Sequence, residues 1–189
     1  MGSAAGAGAK GEFRGSGARI SLFLQITKQM YGGKKILGII PARGGSKGVV
    51  RKNEQMLGPH PLLAWSIRAG QQSDLVDRLI FSSEDDKLID CARHYECEVP
   101  FVRPAELAED QSSSYDVIAH AVEQVSGYDY FVLLQVTSPF RSVEDIDACI
   151  KRAVDGECPC FSVSEVDVNP NFMFHDGELS PKGFLPERK

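Results

Sequence analysis

The sequence is short of three things that would settle its class at once: a long apolar run, a surplus of positive charge and an even set of cysteines. Its early apolar stretch, residues 20–26, falls far below the roughly 20 residues that a membrane-spanning helix needs. Ile26-Thr27-Lys28-Gln29-Met30 behind it offers no small-residue cleavage site, so a secretory signal is a poor match. A net charge of −5 lacks the basic excess of a general nucleic-acid binder. The five cysteines Cys91, Cys97, Cys149, Cys158 and Cys160 cannot all pair within one chain, and none has zinc-site spacing. They read as reduced thiols, and the expectation is a cytoplasmic protein with no membrane and no nucleic-acid partner. In Cys158-Pro159-Cys160 a thiol pair could take a soft metal, but two buried strand cysteines are the preferred reading.

What is present is an ordinary soluble composition, 42% hydrophobic and 25% charged, in 189 residues. That length suits one domain with a core needing no disulfide or metal staple. Residues 1–33, rich in Gly, Ala and Ser, are expected to be a flexible leader or expression remnant, with the domain over residues 34–189. No internal repeat is visible.

Residues 36–40 are continuously apolar and read as a buried strand. Residues 61–69 open on proline, suited to a first helical turn, and repeat apolar side chains at helical spacing. Leu79-Ile80-Phe81 is a strand, after which Ser83 is expected to cap a helix running to about Tyr95. The acids Glu84, Asp85 and Asp86 would then suit the macrodipole of that helix. Residues 98–102 are expected as a short edge strand, because Pro100 removes a ladder donor. A helix over 115–125 precedes residues 130–136, expected as a central strand buried on both faces. Ser142 or Val143 opens a further helix, with Ile146, Cys149, Ile150 and Ala153 inward, and residues 160–163 read as another strand. Asp176-Gly177 is a hairpin signal. Strands alternating with amphipathic helices predict an α/β fold: an open, mainly parallel, Rossmann-like sheet flanked by helices. Ligands in such sheets bind beyond the carboxyl ends of the strands. The loops after residues 40, 102 and 135 are expected to converge there.

The first of these loops carries the chemistry. Behind the apolar strand stand Pro41-Ala42-Arg43-Gly44-Gly45-Ser46-Lys47-Gly48 and then Arg51-Lys52-Asn53. Three glycines permit tight turning and bring backbone N–H groups close to phosphate oxygens, while four cations supply charge for a polyanion. The Walker loop needs Gly-Lys-Ser/Thr and the dinucleotide fingerprint needs Gly-x-Gly-x-x-Gly; neither fits, since Gly48 follows Lys47. A glycine-rich turn with a solvated basic face is the alternative. Arg103 could instead pair with Glu106 on the surface, and Gln135 could serve only backbone groups.

Ala42-Arg43-Gly44-Gly45-Ser46-Lys47-Gly48 with Lys52-Asn53 resembles the N-terminal motif of the acylneuraminate cytidylyltransferases, the CMP-sialic acid synthetases. Arg103-Pro104-Ala105-Glu106-Leu107-Ala108 is similar to the Arg-Pro-x-x-Leu-Ala loop of that family. Leu133-Leu134-Gln135 with Thr137-Ser138-Pro139 and Arg141 is similar to its Leu-Leu-Gln-Pro-Thr-Ser-Pro-x-Arg segment. The resemblance implies a fold of the nucleotide-diphospho-sugar transferase type and an enzyme that joins CTP to a nonulosonic, nine-carbon sugar acid, releasing pyrophosphate. It implies that Arg43, Ser46, Lys47, Lys52 and Asn53 hold the triphosphate and ribose, and that Arg103, Ser112 and Ser114 meet the cytosine end. Gln135 would reach the sugar acid. Arg43 and Lys52 would act on the α-phosphate as the catalytic cations, and Lys47 on the departing pyrophosphate. Magnesium and, for a full-length member, a homodimer are implied as well.

Two positions depart from the family pattern: Val50 stands where proline is usual, and Glu84 where aspartate is usual. The Asp-x-Asp pair assigned to magnesium is not found in the expected place. Asp145-Ile146-Asp147 has the spelling, but its side chains would diverge on a helix. The domain is therefore expected to be C-terminally truncated relative to the family, with an apolar sheet edge or face exposed. A catalytically silent nucleotide-binding fragment and a nucleotidyltransferase for another sugar are the alternatives.

Overall fold

The computed structural model describes residues 30–46 and 48–163. The expected leader before residue 30, Lys47, and the hairpin signal at Asp176-Gly177 lie outside the described residues. A three-stranded parallel sheet in the order β4-β1-β5 forms the centre, from β1 (Ile36–Pro41), β4 (Arg78–Ser82) and β5 (Tyr130–Leu133). Ile39 lies opposite Ile80 on one side and Leu133 on the other. A two-stranded antiparallel ribbon, β2 (Met56–Leu57) and β3 (His60–Pro61), turns through Gly58 at φ 64°.

Helices α1 (Leu62–Gln72), α2 (Asp86–His94), α3 (Ser114–Gln124) and α4 (Val143–Gly156) cover the sheet. Side chains alternate across a strand, so β1 serves two cores at once. Ile36 and Ile40 point into the larger one, with Leu63 and Ile67 of α1, Leu88 of α2 and Ile146 and Ile150 of α4. Leu37 and Ile39 meet Ile80 together with Ala121 and Val125 on the α3 side. This double burial is why β1 reads as an unbroken apolar run.

Local capping chemistry sets the helix starts. The Ser113 hydroxyl accepts from the Asp116 N–H, and Ser142 forms a reciprocal capping box with Asp145. Before α2 the cap is Asp85, which accepts from the Leu88 N–H at 3.1 Å, and not the expected Ser83. Ser83 is wholly buried and its hydroxyl accepts from the Asp85 N–H, a turn that delays the helix by two residues.

Three other expectations are corrected. Residues 98–102 make a single bridge, Ile80 to Glu98, and the chain then leaves the sheet at Val99-Pro100. The central strand is β1, while β5 lies at the edge of the described sheet with Phe131 half exposed. Residues 161–163 form no strand; Cys158 is exposed and Cys160 half-buried, so neither is a buried strand cysteine. The Tyr31 hydroxyl donates to the Asp155 carboxylate at 2.9 Å and docks the Tyr31–Gly33 turn near the end of α4. Among the described residues no helix is long and apolar enough to cross a membrane.

Gly38, at the middle of β1, has no room for a side chain. An added Cβ would fall 2.6 Å from a Leu79 methyl and 2.9 Å from a Val76 methyl. Gly38→Ala is therefore expected to lower stability by about 1–3 kcal/mol through overpacking. Urea denaturation checks this; an unchanged midpoint would show that Leu79 and Val76 yield freely.

Candidate active site

The three loops meet. Beyond the carboxyl ends of β1 and β5 they enclose a crevice of about 910 Å³. Arg43, Gly45 and Ser46 of the glycine loop form one wall, closed by Lys52 and Asn53. Arg103, Ser112 and Ser114, the last being the first residue of α3, form the second. Gln135 with Val136 and Thr137 forms the third. Every described residue that the sequence assigned to the site lines this one space.

The glycine loop is held from outside by two acids that sequence reasoning gave to the helix dipole. Glu84 does not sit in α2: its carboxylate accepts from the Gly44 N–H at 2.8 Å and from the Arg103 guanidinium at 2.5 Å. Arg103 is only 4% exposed, and the same Nη2 donates to the Ala42 carbonyl at 2.7 Å. Its partner is thus Glu84 and not Glu106. Asp85 packs so closely on Gly44 that an added Cβ would fall 2.3 Å from its carboxylate oxygen, so any larger residue there would push Asp85 aside. Of the three glycines, then, Gly44 gives its N–H to the protein itself, whereas Gly45 and Gly48 face open space.

Asp85 also reaches the far end of the loop. Arg51 adopts a left-handed backbone at φ 48° and turns its guanidinium to Asp85, at 3.0 Å, and to Glu54. Arg51 is therefore a fastener and not one of the crevice cations, which corrects the expectation of four cations for a polyanion. Its neighbour Lys52 begins the turn Lys52–Glu54 and lines the crevice instead. Burial alone would raise the Asp85 carboxyl, but Arg51 and the Leu88 N–H hold it below the usual range. Arg51 draws Glu54 down as well. With depressed folded-state values, this fastening is complete above the ordinary carboxylate range and is lost as pH falls through them.

Asn53 is buried, and its amide donates to the Arg43 carbonyl at 3.0 Å, fixing the backbone from which Arg43 projects. Arg43 itself spans the crevice: Nη2 lies 3.1 Å from Asp110 and Nη1 3.4 Å from the Ala108 carbonyl. Both partners belong to the second wall. The Ser112 hydroxyl donates to the Glu106 carbonyl at 2.6 Å and shapes that wall. Gln135 presents an exposed side chain, and its carbonyl is bonded by Ser66, Ser138 and Arg141.

The described residues do not fit a metal site of their own. Among them no group of three His, Cys, Asp or Glu residues could hold an ion, and only Glu109 and Asp110 bring carboxylates to the crevice. Asp145 is spent on its capping box and Asp147 on the Ser73 hydroxyl, at 2.5 Å. Sequence reasoning missed Glu84 and Asp85 as loop anchors. The available signal was their place directly after a strand's carboxyl end, beyond which ligands bind in open α/β sheets.

Comparison with known proteins agrees with this geometry. The family model described as Cytidylyltransferase matches residues 37–168. An N-acylneuraminate cytidylyltransferase of Escherichia coli O18:K1:H7 is 42% identical over 62% of this chain and 28% of its own length. A CMP-N,N'-diacetyllegionaminic acid synthase of Legionella pneumophila is 34% identical over 73% of this chain and 61% of its own. The chain thus spans less than two thirds of either relative. A solved structure of CMP:2-keto-3-deoxy-manno-octonic acid synthetase complexed with CTP superposes at a TM-score of 0.59 with 18% identity, covering 65% of this chain and 48% of that one. That likeness establishes the nucleotide-sugar transferase fold. From a family match running through all three crevice loops, the chain belongs to the cytidylyltransferases.

Proposed function

We propose that this chain carries the CTP-binding side of an enzyme that transfers CMP to a nonulosonic, sialic-type acid. The observation that carries the reading is the convergence of Arg43 and Lys52 with the Arg103–Ser112–Ser114 wall and Gln135 around one crevice. In the proposed reaction the anomeric hydroxyl oxygen of the acid bonds to the α-phosphorus of CTP. The bond from that phosphorus to the bridging oxygen breaks, pyrophosphate leaves and the hydroxyl proton is released.

Such phosphoryl centres respond to positioning and fixed charge more than to covalent help. Arg43 and Lys52 would stabilise the α-phosphate, with Ser46 and the N–H groups of Gly45 and Gly48 beside the outer phosphates and Lys47 on the pyrophosphate. The Arg43–Asp110 pair is half exposed on both sides, hence weak, and a triphosphate with several charges would displace the single carboxylate. Asn53 would meet the ribose with the oxygen its amide leaves free. Arg103 is already spent on Glu84 and Ala42, so its part at the cytosine end is to hold the wall where Ser112 and Ser114 stand. Magnesium, when it accompanies CTP, would draw its ligands mainly from the phosphates. A homodimer, a cytoplasmic location and the identity of the acid belong to the same proposal.

Arg43→Ala is expected to cost at least about 2 kcal/mol of transition-state stabilisation, close to thirty-fold in kcat/KM. Arg43→Lys should recover only part, because a single ammonium does not reproduce the guanidinium fork. Pyrophosphate release from CTP with N-acetylneuraminate measures both; equal rates in all three proteins would remove Arg43 from the mechanism. Glu84→Ala leaves the Arg103 guanidinium buried without its anion and is expected to lower stability by about 3–5 kcal/mol. CTP affinity should fall with it as Gly44 loses its anchor, measured by denaturation and calorimetry. A Glu84→Ala protein that is destabilised yet binds CTP as tightly as before would show that the loop shape does not depend on that carboxylate. In thermal shift, CTP should stabilise the protein more than UTP, GTP or ATP; a preference for another triphosphate would favour a different nucleotidyltransferase.

A further inference from the structure

Gln135 lies just past β5, and its carbonyl oxygen collects three donors. The Ser66 hydroxyl reaches it from α1 at 3.2 Å, the Ser138 N–H at 3.2 Å and Arg141 Nη2 at 2.7 Å. A carbonyl oxygen has two lone pairs, so this one is saturated and its peptide plane is fixed from three directions. Ser66 is wholly buried, which makes α1 the rigid side of the arrangement. Arg141 supplies the shortest of the three bonds and closes the loop 135–141 on itself.

The surroundings of Arg141 set it apart from the other arginines of the site. Arg43, Arg51 and Arg103 each face a carboxylate. Arg141 forms no ion pair among the described residues; its Nη1, like Arg103 Nε, is buried without a hydrogen-bond partner. Burial pulls its pKa below the ordinary arginine value. A half-buried cation with no carboxylate against it is costly to keep, and the one hydrogen bond its side chain makes among the described residues is to the Gln135 carbonyl. The Gln135 side chain, carried on that fixed peptide, lines the same crevice.

We propose that Arg141 is a positioning residue for the acceptor: by pinning the Gln135 carbonyl it aims the Gln135 side chain at the sugar acid, and so governs affinity for the acid but not for CTP. This rests on the reading of the crevice given under the proposed function. It assigns the acceptor side a determinant of its own, separate from the Glu84 anchor that shapes the nucleotide side. Because the role is exerted through a backbone carbonyl, a side chain with a donor at the right reach should restore part of it, and an isosteric apolar one none.

Calorimetry on the wild type, Arg141→Met, Arg141→Lys and Ser66→Ala tests it, first with CTP alone and then with N-acetylneuraminate added to CTP-saturated protein. CTP affinity should agree within about two-fold across the set. Affinity for the acid should fall at least about ten-fold in Arg141→Met, recover in part in Arg141→Lys and fall less in Ser66→Ala. Hydrogen exchange at the Ser138 amide, which shares the carbonyl, should quicken in Arg141→Met; unaltered exchange overturns the pin whatever the ligands do. Unchanged acid affinity, an equal loss for CTP and acid, or a wild type that binds CTP but no acid each overturns the positioning role. A wild type that does not bind CTP overturns the proposed function itself, and the positioning role with it.

Discussion

One carboxylate keeps the glycine loop in shape. Glu84 takes the Gly44 N–H on one oxygen and the Arg103 guanidinium on the other, and Arg103 passes the constraint on to the Ala42 carbonyl. Three chain segments far apart in sequence are thereby joined at the carboxyl end of β1. Since Arg103 is almost wholly buried, its charge has no water to fall back on, and the Glu84 carboxylate supplies the counter-charge that keeps it there, even though its Nε finds no partner. Asp85 repeats the device at the other end of the loop through Arg51, so the loop is fastened twice before any ligand arrives. Preorganised donors of this kind need little rearrangement when a phosphate enters.

The basic residues of the chain divide by what they face. Arg51 and Arg103 are neutralised by neighbouring acids and serve the architecture. Lys52 opens on the crevice, and Arg43 reaches across it to a half-exposed Asp110. An anion that displaces a weak, solvated pair gains most of the arginine's charge, whereas one competing with Glu84 for Arg103 would have to break a buried bond. The chemistry expected of each arginine therefore follows from its partner's burial more than from its place in the motif. The third wall works differently: its fixed element is a backbone carbonyl, held by a serine from α1, by its own turn and by Arg141.

Behind these contacts stands the sheet. β1 is buried on both faces and flanked by parallel neighbours on both edges, so its end is held from every side. β5, by contrast, leaves Phe131 half exposed at an open edge. The chain spans less than two thirds of the length of the relatives it was compared with.

The amino-acid sequence by itself determined the alternation of strands and helices, the parallel sheet, and the three polar loops at strand ends. Those features rest on apolar periodicity and turn chemistry, which are local. It also marked residues that line the crevice: those of the glycine loop through their charge and turn chemistry, and Arg103, Ser112, Ser114 and Gln135 through resemblance to a known family. Tertiary structure alone decided how the charges pair. Glu84, Asp85 and Arg103 look from sequence like two helix-start acids and one loop cation, and nothing local says that a carboxylate at the end of β4 will meet the Gly44 N–H 40 residues before it. The order of the strands was hidden for the same reason: the apolar run of residues 130–136 matches a central strand in pattern, while its edge position depends on which neighbour pairs with it. Periodicity reports which side of an element is buried; only the packed fold reports against what.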